Sequence, residues 1–270
     1  MPFKEYKLKM GVFDRITQGL PAEAVETMVT MKLFQFWKNI VFSPPLYGAD
    51  LLNTLMDETA GSWNLNKLDS VLNHAVNVNV KGVTTSYCYI GSWKTLFCWH
   101  REDLDLSAIN YLHEGCSKFW YSITSNQSHI LEREAKALFP EHFSKCPEHL
   151  RHKTTLINPY ILKKKYPELN ISKMEHKSRE FMLVLGGSYH CGFNFGVNIA
   201  EAINYATLDW LSQLPQAKVC RCSKTTVRAS NTEILKNLES SPLTINNTSI
   251  TKTKAFLNFK KCVYNEVEKE

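Results

Sequence analysis

The chain has no apolar run approaching the roughly 18 residues that a transmembrane helix needs, so no membrane partner is expected. It has no secretion signal either: the opening MPFKEYKLKMGVFDRITQGL contains no continuous apolar stretch. Internal repeats and low-complexity segments are absent, which argues against solenoid and linker architectures. Charge of one sign is in only slight excess, with 32 Lys and Arg against 26 Asp and Glu, a net charge of +6. What is present reads as globular. Hydrophobic residues make up 44% and charged residues 21%, too apolar for wholesale disorder. A length of 270 residues fits one large domain or two small ones. Cysteine is the unusual component, at eight residues. With nothing to mark secretion, these read as metal ligands or free thiols rather than disulfides.

Residues 21–40 carry helical spacing, with Val25, Met28, Val29, Leu33, Phe36, Trp37 and Ile40 on one stripe and Pro21 at the start. PPLYGAD (44–50) reads as a turn, and 66–74 as a short helix. Between 83 and 123 the character changes to β-branched and aromatic segments broken by Gly-containing turns, which predicts strands. Helices are expected near 127–139 and 158–165, and further strands at 179–185 and 196–206. Short strands in two groups with helices before and between predict a mainly β barrel or sandwich with helical decoration. Residues 223–270 are rich in Ser, Thr, Asn and Lys and read as a partly ordered tail with one or two short helices. The tail lysines read as a solvated face rather than a nucleic-acid site.

Three groups of residues carry chemistry. His100 and Glu102 end an apolar strand and, two positions apart, face the same side. A further imidazole, for which His190 in SYHCGFNFG is the candidate, would complete the two-His, one-carboxylate set that holds iron(II) with open positions. Alone, the pair reads first as a strand-end histidine beside a surface glutamate. Asn110 and Lys118 become cross-strand neighbours if SAINYLH and SKFWYSI form a hairpin around Glu114, and could then bind a carboxylate. The alternative is an ordinary amphipathic hairpin with a solvated lysine. Cys146, His152, Cys220 and Cys222 have the donor types of a closed tetrahedral zinc site, although 68 residues separate His152 from Cys220. The other five cysteines read as buried free thiols.

YGAD (47–50), the stretch 82–123, CPEHLRHKTTLINPYILKK (146–164), YHCGFNFGVNIAEAINYAT (189–207) and CRC (220–222) occur in order. Together they resemble the JmjC-domain histone lysine demethylases, most closely the subfamily acting on trimethylated lysines nine and thirty-six of histone H3. The resemblance runs from about residue 34 to 228. It implies a double-stranded β-helix, the jelly-roll barrel of cupins, with a C-terminal zinc-stapled segment. It implies a lead-in over 1–33, a catalytic domain over 34–228 and a tail over 229–270, without the subfamily's JmjN segment. His100, Glu102 and His190 then match iron ligands. Tyr47, Asn110, Lys118 and Lys153 match the 2-oxoglutarate site. Cys146, His152, Cys220 and Cys222 match the subfamily zinc. Gly82, Tyr87, Tyr89, Glu102, Ala202 and Ile203 match the methylammonium pocket, and Asp50 the rim of the peptide groove.

The activity so implied is oxidative decarboxylation of 2-oxoglutarate to succinate, coupled to N-methyl hydroxylation and loss of formaldehyde. The partner implied is a histone H3 tail on a nucleosome, in the nucleus, with non-specific DNA contact through the basic charge and an unknown recruiting partner. The alternatives are a JmjC protein hydroxylase and a catalytically impaired methyl-lysine-binding module.

Overall fold

β-strand alternation sorts side chains between two environments. The structure, a computed structural model, describes residues 22–40, 45–76, 79–222 and 229–267. Nine strands form two antiparallel sheets: β1 Gly48–Leu51, β2 Tyr87–Gly91, β3 Leu96–His100, β4 Ser107–Gly115, β5 Lys118–Ile123, β6 Ser172–His176, β7 Phe181–Val184, β8 Tyr189–Asn194 and β9 Asn198–Tyr205. The five-stranded sheet has the order β1-β2-β9-β4-β7 and the four-stranded sheet β3-β8-β5-β6. The chain switches sheet between β2 and β3, β3 and β4, β4 and β5, β6 and β7, β7 and β8, and β8 and β9. This is the jelly-roll arrangement expected from the sequence.

The pairing of β5 with β8 sets Phe119 opposite Phe193 and Tyr121 opposite Cys191. These residues bury outward under helices α1 (Ala22–Asn39), α3 (Ser128–Leu138), α4 (Pro140–Lys145) and α5 (Pro159–Lys165), through Leu33, Phe36, Leu131, Phe143 and Leu162. Phe36 stacks on Phe193 with ring centroids 3.6 Å apart. The Trp37 indole donates to the Tyr121 hydroxyl at 3.2 Å. The predicted stripe of α1 thus meets the sheet. Pro21 and the side chain of Val25 lie outside the described residues, and α1 runs unbroken through the expected boundary at 33/34.

Two expectations change. PPLYGAD is not only a turn, because Gly48–Leu51 forms β1 against β2. Nor do β4 and β5 form a hairpin. Asn110 pairs with Ala202 and Met182, and Lys118 with His176 and Asn194, in different sheets. The connection turns at Gly115, whose φ of +100° suits glycine, and an added Cβ would lie 2.2 Å from the Val197 carbonyl. The residues between carry the chain across the barrel instead of reversing it.

A second core joins α2 (Val71–Ala75) and α6 (Trp210–Gln213) to two C-terminal helices, α7 (Asn231–Glu239) and α8 (Lys254–Val267). Leu72, Trp210, Ile234, Leu238, Phe256 and Phe259 are buried there. The segment read as a partly ordered tail has amphipathic spacing, Ile234/Leu238 and Phe256/Phe259/Val263, and is packed through it. Among the described residues no helix is long and apolar enough to cross a membrane.

Phe36→Ala removes a ring wholly buried between α1 and β8, and should cost about 3–5 kcal/mol in chemical denaturation. An exposed neighbour, Phe34→Ala, should change stability by about 0.5 kcal/mol or less.

Candidate metal centre and ligand cavity

His100 closes β3 and His190 lies in β8, directly opposite in register. Their rings are 4.2 Å apart between centroids. Glu102 follows β3 and brings Oε1 to 3.5 Å from His100 Nε2 and 3.2 Å from His190 Nε2. The ligand atoms of all three residues lie within 4.8 Å of one another. His100 Nδ1 is 2.7 Å from the Cys98 carbonyl and His190 Nδ1 is 3.3 Å from that of Ser188. With Nδ1–H donating to these carbonyls, both Nε2 lone pairs converge on the carboxylate oxygen, a set of acceptors that fits a cation.

Burial, with His190 and Lys153 nearby, brings the His100 imidazole down to about 4, so it is neutral, as a ligand must be. Burial by itself would raise the Glu102 carboxyl, but Lys153 and the two imidazoles hold it well below the usual range. The Asn204 amide donates to Glu102 Oε2 at 3.1 Å, and Arg151 donates to the Glu102 carbonyl at 2.7 Å. Arg151 also meets Asp105 at 2.6 Å.

The inward face of β5 carries Lys118 and Trp120 beside this triad. Lys118 is 2% exposed, and its ammonium donates to the neutral Asn194 amide oxygen at 2.9 Å. Burial brings it down to about 7. Among the described residues no carboxylate pairs with it. The Tyr47 ring lies 5.9 Å from its nitrogen. Trp120 packs on His190, His176 and Phe97. Trp120 Nε1, His176 Nδ1 and Asn110 Oδ1 are buried without hydrogen-bond partners. Asn110 faces Met182, which packs in one cluster with Trp120. Of the three orphaned atoms, Trp120 Nε1–H is a donor, and a free donor beside a buried ammonium fits a small anion, while Asn110 Oδ1 and His176 Nδ1, in a ring whose Nε2–H faces the Glu180 carbonyl, are acceptors that need a hydroxyl or water.

Of the rim residues, the Tyr89 hydroxyl donates to Asp50 at 3.2 Å. Gly82, at φ +75°, lies under the Tyr87 ring, where an added Cβ would be 2.2 Å from a ring carbon. Ala202 pairs with Tyr87 on one side and Asn110 on the other. Ile203 does not join them. It points to the opposite face and packs with Met56 and Leu65, because successive strand residues alternate.

Cys146, His152, Cys220 and Cys222 also converge within 4.8 Å despite their separation in sequence. Cys146 Sγ is 3.6 Å, and His152 Nε2 3.1 Å, from Cys220 Sγ. Burial opposes ionisation of Cys220, yet the Cys222 amide, His152 and Cys146 bring its thiol down to about 7. All eight cysteines are free thiols. Cys262, expected buried, is exposed on α8, as Cys222 is in the cluster.

Sequence reasoning missed Trp120, His176, Asn194, Asn204 and Arg151. Trp120 was within reach, two positions from Lys118 on the same strand face. Pairing across sheets, which no local pattern reveals, brings in the others.

Residues 87–205 match the family model described as JmjC domain, hydroxylase. These residues form a JmjC domain. Over 199 residues, 73% of its length, the chain is 42% identical to lysine-specific demethylase 4B of Mus musculus. Over the same length it is 42% identical to probable lysine-specific demethylase 4F of Homo sapiens and 40% identical to lysine-specific demethylase 4D of Rattus norvegicus. The aligned stretch is 18%, 31% and 39% of these relatives respectively, well under two thirds of each. The expected JmjC resemblance is met over these residues, and with it the cupin-like fold.

A Cys220→Ala variant should lose about one bound zinc per chain by elemental analysis and melt several degrees lower, since structural zinc contributes folding energy directly. Equal melting of variant and parent would exclude a structural metal at this cluster.

Proposed function

We propose that the chain is an iron(II)- and 2-oxoglutarate-dependent dioxygenase that removes methyl groups from di- and trimethylated lysines of the histone H3 tail. The observation that carries this reading is the convergence of His100, Glu102 and His190 beside the buried, carboxylate-free Lys118. The relatives' names, lysine-specific demethylases, support it.

His100, Glu102 and His190 would hold iron through two imidazole nitrogens and one carboxylate oxygen. Lys118 and Tyr47 anchor the far carboxylate of 2-oxoglutarate, which supplies the charge that Lys118 lacks. Asn110 and Lys153 line the same cavity, while Trp120 and Phe97 exclude water from it. When bound, iron and 2-oxoglutarate supply the chemistry that consumes oxygen, releases succinate and carbon dioxide, and hydroxylates the N-methyl carbon that leaves as formaldehyde. Gly82, Tyr87, Tyr89, Glu102 and Ala202 surround the methylated ammonium, and Asp50 meets the peptide at the rim. Asn204 and Arg151 fix the Glu102 carboxylate and backbone so that the ligand atom does not wander. Zinc at Cys146, His152, Cys220 and Cys222 ties the segment before α7 to the barrel. The setting is chromatin in the nucleus, with nucleosomal DNA as a non-specific contact for the basic surface.

The deciding assay incubates the protein with iron(II), ascorbate, 2-oxoglutarate and a panel of trimethylated histone peptides. Mass spectrometry should show loss of 14 Da per methyl. Gain of 16 Da would indicate a protein hydroxylase, and no turnover with iron bound a silent binding module. His190→Ala should abolish succinate formation with an unchanged melting temperature.

2-Oxoglutarate affinity should also report on Lys118. Burial lowers its free-state value to about 7, and the bound carboxylate favours the charged form. Below pH 7 the ammonium is already charged and affinity should be flat. Above pH 7 binding must take up a proton, and affinity should weaken by up to about tenfold per pH unit. A flat profile from pH 6 to 9 would remove Lys118 as the carboxylate anchor.

A further inference from the structure

Glu201 lies in β9 beside Ala202, on the opposite face of the five-stranded sheet from the cavity, and is fully buried. Its two carboxylate oxygens accept from four groups on three separate parts of the chain. Thr54 Oγ1 donates at 2.8 Å, and the Leu55 amide donates beside it. Ser86 Oγ, next to the pocket residue Tyr87, donates at 3.1 Å. His113 Nε2 of β4 lies at 3.1 Å. These contacts hold the carboxyl below its ordinary range even though burial opposes ionisation.

Between its two ends, β1 and the buried Met56, the segment they hold is loosely covered. Leu51, Leu52 and Leu55 are 39%, 49% and 59% exposed. The same segment begins with β1 and carries Asp50, itself in a left-handed conformation at φ +55° and joined to the Tyr89 hydroxyl. Beyond Leu55, Met56 drops into the small cluster around Leu65 and Ile203. A buried carboxylate satisfied by backbone and side-chain donors makes a stiff anchor, because leaving any donor unpaired is costly.

We propose that Glu201 is a positioning residue for the peptide groove. It clamps residues 50–56 and Ser86 to the rear of the sheet, so that Asp50, Tyr87 and Tyr89 keep their spacing over the cavity. It touches no reacting group and acts through those residues. The inference rests on the demethylase reading only for the identity of the peptide.

The test compares parent, Glu201→Gln and Glu201→Ala in three measurements. Hydrogen exchange should speed up at 51–56, Leu55 foremost, and stay unchanged at 96–102 and 189–194. The Kd for a trimethyllysine H3-tail peptide, measured by fluorescence anisotropy, should rise about tenfold or more in the Ala variant and less in Gln, which retains one acceptor oxygen. Peptide-independent conversion of 2-oxoglutarate to succinate should stay within twofold. Thr54→Ala, an exposed change that removes one donor to Glu201 and the acceptor of the Met56 amide, should speed exchange at Leu55 and raise Kd by a smaller amount, with exchange at Met56 left out of the comparison, and answers the question if a Glu201 variant does not fold. Unchanged exchange at 51–56, or equal loss of peptide binding and peptide-independent turnover, would overturn the proposal. Faster exchange at 51–56 in the variants, where the parent binds and demethylates no peptide, would uphold the clamp and overturn the demethylase reading instead.

Discussion

A one-residue slip of β8 against β5 would turn His190 toward the helices and Phe193 into the cavity. That register is the constraint on which both halves of the molecule depend. On the outer face it aligns Phe119, Tyr121, Cys191 and Phe193 under α1, α3, α4 and α5. On the inner face the same pairing places Lys118 opposite Asn194 and Ser122 opposite His190. The aromatic core supplies the energy that holds the register, and the register delivers polar residues to an interior they would not otherwise enter. Burying such groups is costly one by one, and it is tolerated because the apolar face is far larger.

The interior that results is electrically unfinished. Lys118 has an amide for a partner, the Trp120 Nε1 donor has none, and the two imidazoles and Glu102 aim acceptors at one point. A folded protein seldom leaves so many buried polar groups unmatched without a ligand to match them. A cation at the triad and a dianion at Lys118 would complete both sets, and both belong to the reaction proposed for this JmjC domain.

The two candidate metal clusters are mechanically joined. Arg151, His152 and Lys153 are consecutive, and Lys153 takes a left-handed conformation at φ +58°. That conformation sends His152 to the cysteine cluster while Lys153 lowers both the Glu102 carboxyl and the His100 imidazole. Arg151 holds the Glu102 carbonyl and Asp105 between them. Whatever fixes His152 therefore also fixes the charge environment of Glu102.

The chemistry of this chain was legible along the sequence wherever it depended on local pattern. His100 and Glu102 share a strand face by period two, the α1 stripe follows from helical spacing, and Cys146, His152, Cys220 and Cys222 carry the donor types of a metal cluster, which the fold brings together. Lys118 and Asn110 are both buried but lie in different sheets, because a hairpin and a barrel crossover have the same turn residues at Gly115. Ile203 was grouped with Ala202 by motif, while alternation sends it to the other face. The orphaned atoms of Trp120 and His176, and the four donors around Glu201, come from residues tens to more than a hundred positions apart, so only the folded sheets could show them. The sequence by itself determined which residue types were available and which strand faces they shared. The tertiary structure decided which of those faces meet, because strand order and register across two sheets are set by the packing of the whole core and not by any local run.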